Sequence, residues 1–474
     1  MVGCSSLPSD VEKKDVLPDI YPDYRDVTVP VDIAPLNFNA VDEGVTVLDV
    51  VVRGSKGGEL HVNGEYADFD VADWHELTEK NKGGKLTFTV CMLKDDKWTQ
   101  YKDFTVDVSS YPLDEWGLTY RRIAPGYEVY SKMGLYQRDL STFKEYAIIE
   151  NTQVPGMCVN CHSSAQTNPS RFVFHVRGEH GATMFQMDGQ REWLRAKNDL
   201  LGGSMVYPYW HPSGKYCAFS TNQTRQGFHV VPKERIEVFD LSSDVFVYNP
   251  LTHEILTDSL LSTSDWSENS PVFSPDGRTL YYMTCRQQEY PVYFKDEKYN
   301  LCKIAFDPET GKFGEHVDTI FNAVQQGKSL TWPRPSYDGR FLLFTLMDYG
   351  YFSIWHEESE QWIMDLQTGE ARPLTEVNSP HADSYHNWNV NSRWIVFTSR
   401  RDDGLYSKLY LASIDEKGRA TKPFLLPQRN PKKYYGESLY SFNTPDFTKE
   451  KVMFDAHAAG KEILSDKRVD TKVR

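Results

Sequence analysis

The chain has 474 residues, a formal net charge of −15, 14% aromatic residues and seven cysteines. An acidic excess of this size repels phosphate backbones and anionic headgroups, which argues against nucleic acid as a partner. No apolar run reaches the length of about 18 residues that a membrane-spanning helix needs, and a chain this long buries a large core without staples and reads as two domains.

Met1-Val2-Gly3-Cys4-Ser5-Ser6 reads like the end of a bacterial lipoprotein signal, with Cys4 as the lipid attachment site, although the apolar segment that should precede it is missing. Residues 1–19 are then a flexible tether. No acidic block follows Cys4, which favours a periplasm-facing lipid anchor, and that anchor is the only expected tie to a membrane. Residues 20–111 carry short strand patterns at 45–52, 59–62 and 85–93, separated by Gly57-Gly58 and Gly83-Gly84. An immunoglobulin-like β-sandwich is expected there, bounded by Pro112-Leu-Asp-Glu-Trp116.

Beyond that boundary lies a repeat. His211-Pro-Ser-Gly, Ser274-Pro-Asp-Gly, Ser336-Tyr-Asp-Gly and Asn389-Val-Asn-Ser each precede an aromatic-rich strand, with a degenerate copy at Thr444-Pro-Asp-Phe. A tight turn joining two strands, then a third strand ending near Asp-Leu, is a propeller blade. A weaker copy begins at Ala124-Pro-Gly. The chain is therefore expected to be all-β: a sandwich at 20–111, a six-bladed propeller at 112–460, an inserted segment at 145–195, and a C-terminal tail at 461–474. The Ser-Pro-Asp-Gly turn before an aromatic strand resembles the repeat of TolB, the periplasmic Tol-system protein. Together with the lipoprotein-like start and the motif below, it resembles TolB-like Bacteroidetes proteins often labelled cytochrome-c-biosynthesis proteins. That resemblance implies a lipid-anchored periplasmic location without implying an activity.

The motif is Cys158-Val-Asn-Cys161-His162. Cys-x-x-Cys-His is the pattern that holds c-type haem: two thiols form thioethers and the adjacent imidazole ligates iron. One covalent haem c is expected, on an exposed loop of the insertion. His175 is the first candidate for the sixth ligand, Met184 the second, with His180 and Met187 also in range. In 171–177, Phe172, Phe174 and Val176 share one face, which would pack on the propeller and leave His175 free for iron. The other cysteines, Cys91, Cys217, Cys285 and Cys302, read equally as disulfide partners or as buried free thiols, and only Cys285 with Cys302 looks placed for a disulfide.

A second candidate site lies on the propeller axis, where Pro208, Pro271, Pro333, His386 and Ser441 align and Tyr209, Arg334 and Asn387 could line the mouth. His381 and His386 could ligate a metal there. The expected function is a periplasmic haem protein acting in electron transfer, redox sensing or respiratory-cytochrome assembly, with a redox or envelope protein as partner, and more a carrier or binder than an enzyme. The alternatives are a non-catalytic propeller binding module and a metal-dependent carbohydrate-active propeller.

Overall fold

The computed structural model describes residues 7–125, 132–195, 204–231 and 234–474. Cys4 and most of the repeat copy beginning at Ala124 lie outside the described residues. The protein is 49% strand and 8% helix.

The N-terminal strands form where alternation placed them. Val45–Gly54 pairs with Glu59–Gly64 on one side and with Lys85–Lys94 on the other. Along its far edge, Lys85–Lys94 pairs first with Phe104–Val108 and then with Lys97–Gln100. Among these strands a helix departs from the all-β expectation. In Val71–Lys80 the Asp70 carboxylate caps the amides of Ala72 and Asp73, and Trp74, Leu77 and Thr78 share the buried face. The capping Asp and the three- and four-residue apolar spacing were the available signal.

Among the described residues, the rest of the chain forms six sheets, antiparallel except where Lys472–Val473 joins Glu254–Leu256. Their first strands are Cys158–Ala165, Ser204–Trp210, Trp266–Phe273, Ser329–Pro335, Asp383–Trp388 and Ser441–Thr448. Each touches the next, and the last touches the first, so the sheets close a ring around an axis in a β-propeller-like fold. Indole groups tie neighbours together: Trp210 Nε1 donates to the Ser163 carbonyl (3.3 Å), Trp332 Nε1 to that of His386 and Trp388 Nε1 to that of Arg334 (both 3.0 Å). Apolar clusters fill the spaces between sheets, and one of them runs without a break from Val27, Phe38 and Trp74 into Trp388, Trp394 and Phe424.

Four turns match the repeat reading. In each, the fourth residue donates its amide to the carbonyl of the first: Gly214 to His211, Gly277 to Ser274, Gly339 to Ser336 and Ser392 to Asn389, at 2.8–3.0 Å. Each fourth residue has a positive φ, which glycine adopts freely and Ser392 adopts at 60°.

Two assignments change. Residues 145–195 are not an inserted lobe: Cys158–Ala165, Asn168–Arg177, Ala182–Met187 and Gln190–Leu194 form a complete sheet of the ring. Its first turn has left-handed Gln166 (φ 51°) and Thr167 (φ 59°) and no glycine, so the turn pattern does not mark it. The Thr444 copy, in turn, makes no sheet of its own. Ser441–Thr448 pairs with Gly117–Ile123, and one sheet is built from both ends of the ring-forming region.

The C-terminus is docked rather than a free tail. Asp455 caps helix Ala456–Leu464, Ala459 and Ile463 are fully buried beside Phe174 and Met184, and Lys472–Val473 pairs with Glu254–Leu256. Of the two readings of Cys285 and Cys302, the free-thiol one holds: they form no disulfide. Cys302 lies opposite Tyr282, three residues from Cys285, and an odd offset puts the two side chains on opposite faces. Ile463→Ala is expected to destabilise the protein by about 2–4 kcal/mol, read as a shift in urea denaturation midpoint at constant slope. A loss below about 0.5 kcal/mol, the level of an ordinary surface change, means that the helix is not docked.

Candidate functional site

Every first strand kinks at one residue. Cys161, Tyr207, Ser270, Trp332, Tyr385 and Thr444 all have φ between 46° and 55°. In all six strands the hydrogen-bond register breaks at this point, between 160 and 163, 206 and 209, 269 and 272, 331 and 334, 384 and 387, and 443 and 446. Left-handed backbone costs roughly 1 kcal/mol or more outside glycine, and a bulge of this kind re-aims a side chain. The next residues are His162, Pro208, Pro271, Pro333, His386 and Pro445. The Cys161-His162 pair thus occupies the same place as Tyr385-His386 and the X-Pro pairs. The sequence alignment named Ser441 where Pro445 belongs and left out His162.

Two cavities meet at this kinked level. The first is walled by residues from five of the six sheets and their loops, among them Cys161, Tyr207, Tyr385 and Thr444. Arg121, Arg177 and Arg400 line it, together with Trp355, Tyr351, Asn160 and Asn443. No Asp or Glu is among its described lining residues. The second cavity, towards the other end of the axis, holds His162, Tyr209, Arg334, Asn387 and Asp446. Arg334 stacks 4.0 Å from the Trp332 ring centroid. It shares the wall with Asp446, whose oxygens accept from Asn387 Nδ2 (2.8 Å) and the Ser164 amide (3.4 Å). Burial raises Asp446 to about 6 and lowers Arg334 to about 10.

The haem-motif residues are not gathered on one face. Cys158 is 6% exposed, packed with Ile123 and Met133, and its sulfur lies 3.2 Å from an Arg121 guanidinium nitrogen. Cys161 is half-buried on the first cavity. His162 is 7% exposed, with Nε2 3.1 Å from Thr119 Oγ1 on the adjoining sheet. His175 is 2% exposed, and its Nδ1 lies 2.9 Å from Thr183 Oγ1. Met184 is fully buried in the cluster of Phe172, Phe174 and Trp193.

The expectation of one free face fails because this sheet is covered on both sides. Phe172, Phe174 and Val176 pack in one cluster, and Val173 with Phe185 in another. These positions do not fit a haem held by both thiols with His162 under the iron, since one thiol and the imidazole are already packed and bonded inside the fold. His180 is at the surface, paired with Asp466 at 2.9 Å. His381 and His386 do not converge either: His386 is fully buried, while His381 stands 3.4 Å from Glu357. Among the described residues no group of three His, Cys, Asp or Glu could hold a metal.

The arginines of the first cavity were not singled out in the sequence. Arg121 sits in an inner strand, Arg177 ends the second strand of its sheet, and Arg400 follows the second strand of another. No local pattern marks them, because they meet only through ring closure.

No family model matches the chain, and no curated protein matches it. Among solved structures, prolyl oligopeptidase B from Galerina marginata is similar over 65% of this chain and 44% of its own, at 12% identity and TM-score 0.35. A puromycin-hydrolyzing peptidase of Mycobacterium tuberculosis is similar over 73% and 52%, at 13% identity and TM-score 0.35. The β-propeller domain of Cps50 (Swd1) from Myceliophteria thermophila is similar over 69% and 92%, at 13% identity and TM-score 0.36. The chain spans about half the length of the two peptidases. Likeness at this level concerns fold and carries no activity.

Burial lowers His162 to about 4, whereas an unfolded imidazole takes up its proton near 6.5. The depressed base costs nothing above that window, and stability is lost as pH falls through it because only the unfolded state binds the proton. The stability difference between wild type and His162→Gln should therefore shrink by about 1.4 kcal/mol for each unit between about pH 6 and pH 4.5. Urea titrations at several pH values measure this, and a pH-independent difference rejects the buried, neutral imidazole.

Proposed function

We propose that the protein is a non-catalytic ligand-binding module: a six-bladed propeller, carrying an immunoglobulin-like N-terminal domain, that holds a small ligand in its first axial cavity. The observation that carries this reading is that five sheets and their loops jointly wall one cavity with aromatic and polar side chains. Concave, largely apolar sites with a few fixed polar groups are where small ligands bind.

Binding is favoured over catalysis by the state of the candidate acids and bases. Burial lowers His175 and His386 to about 3 and His162 to about 4, so these imidazoles are neutral at neutral pH, and none lines the first cavity. The only thiol on its wall, Cys161, is held above its usual range by burial. A nucleophile beside a base, the signature of covalent catalysis, is absent among the described lining residues.

Thr224 lines the cavity from a strand whose end is solvent-accessible. Thr224→Phe should abolish ligand-induced thermal stabilisation in a small-molecule screen while leaving the ligand-free melting temperature within about 2 °C, as for an ordinary surface substitution. Hits that survive this substitution place binding elsewhere. Expression with a signal peptide and c-type maturation machinery is expected to give protein without a pyridine haemochrome band. A covalent haem on Cys158 and Cys161 replaces this reading with the haem-carrier one.

A further inference from the structure

The first cavity collects positive charge with no carboxylate on its described wall. Arg400 is 5% exposed, its guanidinium carbon lies 3.6 Å from the Trp355 ring centroid, and its buried Nε has no hydrogen-bond partner among the described residues. Arg121 also has a buried Nε without a partner, and its nearest polar contacts are sulfurs: Cys158 at 3.2 Å and Met133 at 3.6 Å. Arg177 shares the wall with Cys161, and the groups that favour its charged form are Cys161, Cys158, Tyr207 and Tyr351, with no carboxylate among them.

The second cavity is the internal control. Its arginine, Arg334, shares the wall with the Asp446 carboxylate. No carboxylate lines the first cavity, and Glu234 and Asp403 act on Arg400 from outside its described wall. A buried cation left without an anion or hydrogen-bond acceptor is expensive, and proteins keep such groups where a ligand supplies the missing charge.

We infer that the first axial cavity is an anion site built for a small organic polyanion: a flat or cyclic body carrying two or three carboxylates. The inference rests on the binding-module reading and deepens it. Guanidinium forks pair with carboxylates through two parallel hydrogen bonds, which a point charge such as lysine cannot do. Trp355 and Tyr207 offer flat apolar surface between the arginines, and Asn160 and Asn443 offer neutral donors. The Tyr207 and Tyr385 hydroxyls are held in the protonated form by burial, so they can donate to an anion and add no competing charge.

The test uses the full chain with benzene-1,3,5-tricarboxylate, citrate and pyrophosphate as anionic probes and benzene-1,3,5-tricarboxamide as the uncharged counterpart, by titration calorimetry at low and high salt. The tricarboxylate should bind, weaken with salt, and bind about 30-fold or more tighter than the tricarboxamide. Arg400→Gln and Arg177→Gln should each weaken it by about tenfold or more, the worth of a charge-assisted hydrogen bond. The ligand-free Arg400→Gln protein should melt at or above the wild-type temperature, because an unbalanced charge is removed. An arginine that serves only the fold would lower it.

Equal affinity for the tricarboxylate and the tricarboxamide, both lost in Thr224→Phe, overturns the anion assignment while leaving the binding module intact. Failure of all three anions to bind at millimolar concentration overturns the assignment as well. Anion binding unchanged in the Arg177→Gln/Arg400→Gln double variant does the same, because it locates the anion outside this cavity.

Discussion

The pairing of Ser441–Thr448 with Gly117–Ile123 is the contact on which the rest of the architecture depends. A row of sheets has two open ends, each an edge of unpaired amides and carbonyls that invites other chains. Taking the innermost strand of one sheet from the far end of the chain closes the row by hydrogen bonds as well as by apolar packing. Closure then fixes the order of the sheets around the axis and hence which side chains meet there.

The kink common to the six first strands is a second consequence of the ring. Six strands converging on one axis crowd their side chains, and a left-handed residue with a register break relieves this by redirecting one side chain from each strand. The Cys161-His162 pair sits at this place in its strand, so a motif that reads as cofactor chemistry in one dimension occupies an architectural position in three. His162 is spent on Thr119 of the adjoining sheet, His175 on Thr183 of its own sheet, and Met184 on an apolar cluster.

The two cavities at the kinked level differ in how they settle charge. One has the Asp446 carboxylate on the same wall as Arg334; the other has no carboxylate on its described wall, and its guanidinium groups meet an aromatic ring and sulfur. Stability alone favours the first arrangement. A fold that carries the second gives up stability at that point, which is the usual relation between a binding site and the scaffold around it.

The sequence by itself determined the β-rich class and four of the turns, at His211, Ser274, Ser336 and Asn389, because a tight turn and strand alternation are local properties of a few consecutive residues. It also marked the N-terminal strands at 45–52, 59–62 and 85–93 for the same reason. It did not mark the sheet at 158–194, whose first turn uses Gln166 and Thr167 in place of glycine, nor the split origin of the closing sheet. The state of Cys158, His162 and His175 was decided by neighbours distant in the chain. The same holds for Arg121, Arg177 and Arg400, which belong to three different sheets and share one wall only after the ring has closed. Side-chain chemistry is written residue by residue, but burial, pairing and the sum of charges in a cavity are properties of the assembled ring, and these decide what the chemistry can do.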